Sequence, residues 1–401
     1  MKKPRILYIC NDTSFFVSHR LPLAAAASRA GFEVGLAALD TGDLEPLCDH
    51  GVQFHPIHLD RTGLNPVSDA AYLLRLARLI RKFQPDLVHT VTVKPVLYGG
   101  VLARLMGVPA VVAAMSGLGF LYTSQSLAKR ITRAGVQSIQ RFAMRHPNAR
   151  VIFQNPHDRD QLIAAGMAPS ANAVLIRGSG VDPAAFPAQA PSGNGAGGPP
   201  VVLLPARLLW DKGVGEFVEA ARILKREGVA ARFVLAGDRA IHNRAAVPEA
   251  TIRQWQDEGA VEWWGHRQDM AKVFAAARIV CLPSYREGLP KVLLEAASSS
   301  RAIVTTDVPG CRETVRDGEN GVLVPPRQAV PLAKAIARLL ADPARCDAFG
   351  RRGRELVVQE FALDKVVAAT LALYEELGVL AVPQESESAA VMAAARTETA
   401  A

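Results

Sequence analysis

The sequence lacks the features that define several large classes of protein. Its cysteines show no paired spacing, which argues against a disulfide framework or a zinc site; they are Cys10, Cys48, Cys281, Cys311 and Cys346. No apolar run is long enough to cross a bilayer, and no segment repeats at the period of a solenoid. Together these absences favour a reduced, globular protein of the cytoplasm.

The N-terminal segment imitates a secretion signal without meeting its requirements. Basic residues precede an apolar stretch, as in a signal peptide, but that stretch covers only residues 6–10. The polar pair Asn11 and Asp12 then ends it. The segment is therefore interpreted as the first β-strand of the fold.

Acidic residues are missing from a long part of the first half of the chain. Residues 1–186 hold 20 of the 46 Lys and Arg but only 12 of the 38 Asp and Glu, so the whole net charge of +8 arises there. Residues 87–157 contain eight Lys or Arg and no acid. Such a stretch favours an anionic surface or ligand, and the alternative is an ordinary solvated basic face.

The sequence does contain a recurring unit of apolar strand, helix, glycine and apolar strand. Gly31, Gly107 and Gly228 each end a predicted helix, at the position where glycine terminates helices most readily. Alternating strands and helices predict parallel sheets covered on both faces. The units form two series, residues 5–180 and 201–330, which predicts an α/β protein with two doubly wound, Rossmann-like domains.

A segment rich in Gly, Pro, Ser and Ala separates the two series and is interpreted as a linker. The expected organisation is an N-terminal domain, a linker, a C-terminal domain, a final helix and a disordered tail, over residues 1–186, 187–200, 201–360, 361–378 and 379–401. Ligands of such sheets bind at the C-terminal ends of the strands, so the site is expected in the cleft between the domains.

Two carboxylates frame a strand–loop–helix segment of the second domain. A strand is predicted over residues 278–283 and a helix over 291–298, with Glu287 in the loop and Glu295 within the helix. A helix N-terminus favours an anionic ligand, so acids there suit hydroxyl groups elsewhere on the same ligand. The alternative is a surface glutamate in the loop and a helical glutamate that is either solvated or paired with Lys291.

Two cations lie on a second loop of the same kind. A strand is predicted over residues 201–205 and a helix over 214–225, which places Arg207 and Lys212 at the same edge of the sheet. Fixed cations beside a helix N-terminus suit a diphosphate. The loop is not a P-loop, because the Gly-Lys-Ser/Thr sequence is absent.

Together the two loops resemble those of the retaining nucleotide-sugar glycosyltransferases of family 4, which have the two-domain GT-B fold. The resemblance implies that Arg207 and Lys212 hold the donor diphosphate and support its departure. It implies that Glu287 works at the donor sugar and that Glu295 binds the ribose hydroxyls. The GT-B fold also implies that the last helix crosses back to the first domain.

The same resemblance fills out the donor site. It assigns the donor-binding loop to Gly288, Leu289 and Pro290, and it places backbone groups near Arg267 beside the nucleotide base. No Asp-x-Asp metal motif stands out in the sequence. We therefore expect no cofactor and metal-independent turnover, with the two cations in place of a metal.

More narrowly, the chain resembles a branch that extends polyprenyl-diphosphate-linked sugars in bacteria, including N-acetylgalactosaminyltransferases and O-antigen glycosyltransferases. The shared features are the His-Arg end of the loop over residues 11–20, the element at 64–66 and the run at 206–217. The resemblance assigns the acceptor to His19, Arg20, Lys94 and Gly117. Relatives often have a histidine near position 116, where this chain has serine, so catalysis by a histidine side chain there is not expected.

A basic amphipathic helix is predicted over residues 124–145. At helical spacing, one side carries Arg130, Arg133, Arg141 and Arg145, and the other carries Leu127, Ile131, Ile139 and Phe142. Such a helix suits the anionic inner leaflet of a membrane, to which several cations would hold the protein weakly. The alternative is a core-facing helix with a basic solvent face.

The expected reaction follows from the resemblance: a hexose or N-acetylhexosamine moves from a UDP-sugar to a polyprenyl-diphosphate-linked sugar during assembly of a bacterial surface glycan. We expect it at the cytoplasmic face of the inner membrane, with no nucleic-acid partner. Alternatives are a transferase with a soluble acceptor, a UDP-sugar epimerase of the same architecture, and a catalytically silent binder of nucleotide sugars. The Arg207 and Lys212 pair with the two glutamates argues against the epimerase.

Overall fold

The computed structural model describes residues 2–42, 44–59, 66–115, 127–188, 198–240, 243 and 245–380, and these form two parallel β-sheets covered by helices. The expected α/β class, with two doubly wound sheets, is confirmed. None of the helices described is long and apolar enough to cross a membrane. The central strands of both sheets are buried on both faces, as their apolar composition requires.

The N-terminal sheet has seven strands in the order β3-β2-β1-β4-β5-β6-β7. Its strands are β1 Arg5–Asp12, β2 Glu33–Leu39, β3 Val52–Pro56, β4 Leu87–Val91, β5 Ala110–Met115, β6 Ala149–Phe153 and β7 Ala173–Leu175. Its helices are α1 Thr13–His19, α2 Leu21–Arg29, α3 Glu45–Asp49, α4 Pro66–Phe83, α5 Val93–Leu105, α6 Leu127–Met144 and α7 Pro156–Ala164.

The C-terminal sheet has six strands in the order β10-β9-β8-β11-β12-β13. They are β8 Val201–Pro205, β9 Arg232–Ala236, β10 Glu262–Trp263, β11 Ile279–Leu282, β12 Ala302–Thr306 and β13 Gly321–Val324. The remaining helices are α8 Val214–Arg226, α9 Glu249–Asp257, α10 Met270–Ala276, α11 Lys291–Ser298, α12 Pro309–Thr314, α13 Ala329–Ala341, α14 Pro343–Leu356 and α15 Leu363–Glu376. A short π-helix, Val357–Phe361, precedes α15.

The glycines expected to end helices have the backbone that this position requires. Gly31, Gly107 and Gly228 have φ angles of 99°, 68° and 74°, in the left-handed region that glycine enters at little cost. This confirms the three predicted helix ends. Each glycine turns the chain back toward the next strand and so keeps the helices packed on the sheet.

The segment predicted as a loop over residues 11–20 is instead largely helical, and that prediction is wrong. Asp12 ends β1 and caps α1, because its Oδ1 accepts a hydrogen bond of 2.7 Å from the backbone N–H of Phe15. An aspartate at this position supplies the partner that a helix start lacks. The short helix ends at His19, and Arg20 follows as its C-cap.

The chain crosses between the two domains near residue 181 and again near residue 362. The two crossing segments are joined by backbone hydrogen bonds. The N–H of Val181 donates to the carbonyl of Phe361 at 3.1 Å, and the N–H of Leu363 donates to the carbonyl of Val181 at 2.9 Å. Arg177 adds ion pairs across the same junction, to Glu313 at 3.2 Å and Glu360 at 2.8 Å. These bonds fix where one domain meets the other.

Helix α15 follows the second passage and packs on the N-terminal domain. The hydroxyl of Tyr374 lies 2.9 Å from that of Tyr8 and 2.6 Å from Nδ1 of His89, and all three side chains are buried. His89 also stacks on Tyr8, with ring centroids 5.0 Å apart. The final helix is thus joined to the core of the first sheet by a buried polar cluster.

Because this cluster contains a buried histidine, we expect the folded protein to lose stability in mild acid. Burial, with the charge of Arg20, holds the pKa of His89 well below its ordinary value of 6.5. When the pH falls below that ordinary value, the unfolded chain binds a proton that the folded chain does not. The free energy of unfolding then falls by up to about 1.4 kcal/mol per pH unit for this group.

We expect urea unfolding to show this fall between pH 7 and pH 5, and the His89→Gln variant to lose part of it. Equal pH dependence in the wild type and the variant would contradict the assignment to His89.

Candidate active site

The site-bearing loops follow two strands that lie side by side in the C-terminal sheet. Strands β8 and β11 pair in parallel, and from β8 the chain first proceeds to β9 on the other side. This is the point where the strand order reverses, the usual position of a ligand crevice in such sheets. The loops at residues 206–213 and 283–290 therefore meet at one edge.

The two loops pack against each other through their backbones. Gly213 has a φ of 73°, and a Cβ atom there would lie 2.1 Å from the carbonyl oxygen of Pro283, so no larger residue fits without a shift of the loop. The N–H of Tyr285 donates to the carbonyl of Asp211 at 2.9 Å. This close packing holds Lys212 beside the loop that carries Glu287.

Lys212 and Glu287, predicted to share a site, form an ion pair. Lys212 Nζ lies 2.5 Å from Glu287 Oε1, and the two side chains are only 21% and 12% exposed. Arg207 lies on the same loop as Lys212 and is exposed, and no carboxylate within the described ranges pairs with it. The loop over residues 206–213 thus carries one cation in an ion pair and one exposed cation, and the exposed charge favours an anion at this edge of the sheet.

Glu295 forms an ion pair with Lys291. This pairing is the alternative that the sequence offered to a ligand-binding role for Glu295. Their charged atoms are 3.0 Å apart, and the Glu295 side chain is 12% exposed. Burial raises the pKa of the Glu295 carboxyl, and the charge of Lys291 lowers it in part. Lys291 Nζ also donates to the carbonyl of Ser18 at 2.9 Å, so this lysine links α11 to α1 of the other domain.

Helix α11 begins directly after the Glu287 loop, at the same edge of the sheet. Pro290 is its N-cap and makes no side-chain cap, so the first N–H groups of the helix have no capping oxygen from that residue. Leu289 is buried, and the carbonyl of Gly288 accepts a hydrogen bond from Asn155 of the N-terminal domain. The loop from 287 to 290 therefore places a carboxylate next to the positive end of a helix.

In the N-terminal domain, His19 lies near positively charged side chains from both domains. Its ring stacks on Phe15 with centroids 4.2 Å apart, and Nδ1 lies 3.2 Å from the carbonyl of Phe15, to which it must donate. Burial, then the charges of Lys291, Arg20 and Arg207, lowers the pKa of His19 to about 3. The imidazole is therefore neutral at physiological pH, and its Nε2 can accept a hydrogen bond.

The other residues assigned to the acceptor occupy different settings. Arg20 is buried beside Tyr8 and Tyr374, and burial lowers its pKa. Lys94 opens α5 after β4 and pairs with Asp69 at 3.1 Å. Gly117 lies outside the described residues, as do residue 116 and most of the element at 64–66. The acceptor roles of all four residues stay predictions.

Arg267, which is expected to lie beside the nucleotide base, forms an ion pair with a neighbouring acid. Its guanidinium donates two hydrogen bonds of 2.8 Å to Asp269, and the pair is exposed. Trp263 donates from its indole to the carbonyl of Gly237 at 3.1 Å. The role of the Arg267 backbone in base recognition stays a prediction.

Several residues that contact the Glu287 loop were not predicted from the sequence to belong to the site. Lys291 bridges the domains, Asn155 donates to Gly288, and Gly310 packs so closely that a Cβ atom would lie 2.5 Å from the carbonyl of Glu287. One usable signal was present, since Asn155 directly before a proline marks a helix start after a strand. Such starts lie at the cleft edge of a parallel sheet.

Two sequence-family models match the chain. The model described as "Glycosyl transferase 4-like" covers residues 5–155, and the model described as "Glycosyl transferases group 1" covers residues 199–342. Each match falls on one of the two sheets. The chain belongs to the glycosyltransferases with the GT-B fold, and the expected family is confirmed.

Individual relatives are consistent with this assignment. The N,N'-diacetylbacillosaminyl-diphospho-undecaprenol alpha-1,3-N-acetylgalactosaminyltransferase of Campylobacter jejuni is 27% identical over 347 residues, which are 84% of this chain and 90% of the relative. The UDP-Gal:alpha-D-GlcNAc-diphosphoundecaprenol alpha-1,3-galactosyltransferase of Escherichia coli is 24% identical over 357 residues, 87% of this chain and 90% of the relative.

A solved structure supports the fold. The Anabaena HepE protein in complex with UDP and glucose matches with a TM-score of 0.73 at 20% identity, over 92% of this chain and 99% of that one. The two relatives also confirm the resemblance to the branch whose members are named for polyprenyl-diphosphate-linked sugars.

Proposed function

We propose that this glycosyltransferase moves a hexose or N-acetylhexosamine from a UDP-sugar to a polyprenyl-diphosphate-linked sugar, with retention at the anomeric carbon, in assembly of a bacterial surface glycan. The observation that carries the proposal is the Lys212–Glu287 pair beside the α11 N-terminus. The acceptor class rests on the relatives from Campylobacter jejuni and Escherichia coli, whose names specify undecaprenyl-diphosphate-linked sugars.

In this proposal the donor diphosphate replaces Glu287 as the partner of Lys212. The bond from the anomeric carbon to the diphosphate oxygen breaks, and UDP leaves with the electron pair. The acceptor hydroxyl oxygen bonds to the same carbon, and its proton passes to the departing diphosphate. Arg207, Lys212 and the helix N-terminus stabilise the charge that grows on the leaving group.

Glu287 is then free to act on the sugar. Its carboxylate lies beside the lysine that we assign to the diphosphate, which supports a contact with a neighbouring group of the same donor. We assign it to the ring hydroxyls and to support of the positive charge near the anomeric carbon. Glu295, within helix α11, binds the ribose hydroxyls, and Lys291 compensates the negative charge of Glu295.

Fixed cations substitute for a metal in this account. Diphosphate charge is neutralised by Arg207 and Lys212, and no group of three or more His, Cys, Asp or Glu that could hold an ion occurs in the parts of the chain that the structure describes. Because these two cations would supply the charge that a metal otherwise provides, we propose turnover without a metal ion or cofactor.

Surface groups on the N-terminal domain support contact with a membrane that holds the acceptor. Leu105, Ile139 and Phe142 are 68%, 45% and 38% exposed, and Arg104 lies over the Phe142 ring at 4.3 Å. Apolar groups beside cations suit an anionic lipid surface. Flotation with anionic vesicles tests this part, and a protein that stays unbound at low salt would reject it.

The test of the function is a panel of UDP-sugars with a polyprenyl-diphosphate-linked sugar, and product analysis by mass. We expect one added hexose or N-acetylhexosamine, equal turnover with and without a metal chelator, and no turnover without acceptor. Isomerised UDP-sugar without acceptor would instead identify an epimerase. Transfer only to water-soluble acceptors, or UDP-sugar binding with no product, would reject the proposed acceptor or the enzyme assignment.

A further inference from the structure

The loop that carries Glu287 is also held by the opposite domain. The side-chain nitrogen of Asn155, at the start of α7, donates to the carbonyl of Gly288 at 2.7 Å. Arg286, on the other side of Glu287, lies with its Nη2 atom 3.5 Å from Asp158 Oδ1. The N-terminal domain therefore contacts the residue before Glu287 and the residue after it, and Glu287 is the residue assigned to the sugar.

The Asn155 amide has a fixed orientation. It is fully buried, and its Oδ1 accepts from the N–H of Asp158 at 2.7 Å, which caps α7. Its Nδ2 donates both to Asp158 Oδ2 at 3.1 Å and to Gly288. Since each atom of the amide has a defined partner, the contact with Gly288 is directional.

Other contacts leave the Glu287 loop few alternative positions. Lys212 holds the carboxylate at 2.5 Å from one side. Gly310, at the start of α12, packs so closely that a Cβ atom would lie 2.6 Å from the carbonyl of Gly288. The Asn155 bond, together with the Arg286–Asp158 pair, ties this segment to the N-terminal domain.

We propose that Asn155 is a positioning residue that sets Glu287 for transfer when the two domains meet. The inference rests on the proposed function and deepens it, because it makes the geometry of the sugar-binding carboxylate depend on the N-terminal domain. Donor binding by the C-terminal domain alone does not need the contact. Transfer does, since small misplacement of a reacting group lowers rates steeply.

The Asn155→Ser variant separates these roles. Serine caps helices about as well as asparagine, but it is too short to reach Gly288. We expect kcat to fall between about tenfold and a hundredfold, and the Kd for UDP from calorimetry to change less than about twofold. The melting temperature should stay close to that of the matched control Asp342→Ser, which changes the cap of α14.

A second variant leaves the α7 cap intact. Arg286→Gln removes the ion pair to Asp158, and we expect a smaller fall of kcat, again with UDP binding retained. Wild-type kcat in a folded Asn155→Ser protein would overturn the proposal, as would a fall in kcat matched by equal loss of UDP affinity. If Asn155→Ser does not fold, wild-type kcat in Arg286→Gln would overturn it. A wild-type protein without turnover would reject the proposed function itself.

Discussion

Replacing Glu287 with glutamine is expected to lower the transfer rate by about a thousandfold while UDP affinity stays within about threefold. Glutamine keeps the size of the side chain and removes its charge, so the sugar loses the group that supports positive charge at the anomeric carbon. UDP contacts Arg207 and Lys212 in this account. Loss of the Glu287 charge frees Lys212 from its 2.5 Å ion pair, so UDP binding should persist.

The measurements are initial rates with saturating donor and acceptor, and titration calorimetry with UDP. The matched control is Glu319→Gln, because this glutamate lies on the surface of the same domain with its side chain 54% exposed. The control should keep wild-type rates. Undiminished transfer by Glu287→Gln, or loss of UDP binding, would reject the role assigned to this carboxylate.

Replacing Lys212 with methionine should have an effect nearly as large, through a different step. The leaving diphosphate gains charge in the transition state, and removal of one preorganised cation costs about a hundredfold to a thousandfold in kcat. UDP affinity should fall as well, because the same cation binds the ground-state diphosphate. Glu287 also loses its partner in a site where it is 12% exposed, so the ligand-free variant should be less stable than the wild type.

The comparison variants for this lysine are Lys212→Arg and Lys225→Met. Arginine retains the charge and should recover part of the rate, although its planar head differs in shape. Lys225 donates to the backbone carbonyls of Glu258 and Gly259, away from the loops that carry Lys212 and Glu287, so its replacement should leave kcat unchanged. A Lys212→Met protein with the wild-type kcat would show that another group stabilises the leaving diphosphate.

The parts of the fold set by local pattern were predictable from the sequence. Buried strands appear as short apolar runs, and strands β8 and β11 with their following loops were expected within a residue or two of where they lie. Helix α11 begins at Lys291 and ends at Ser298, as predicted. Since the carboxyl ends of neighbouring parallel strands share an edge, the meeting of Lys212 and Glu287 followed from their positions in the two loops.

The contacts that join the domains could not be predicted in the same way. Asn155 and Gly288 are 133 residues apart, and Lys291 and Ser18 are 273 apart. Such pairs depend on how the two domains pack against each other, which no local periodicity encodes. Helix α1 was missed for a smaller reason, because one cap by Asp12 decides between loop and helix over a short segment.

The most direct test of the account is a crystal structure of the protein with UDP bound. We predict diphosphate oxygens within about 3 Å of Lys212 Nζ and of the Arg207 guanidinium, and ribose hydroxyls within about 3 Å of the Glu295 carboxylate. Lys212 should then have left Glu287 for the diphosphate. UDP bound against the N-terminal sheet, or in the cleft with its diphosphate away from both cations, would contradict the account.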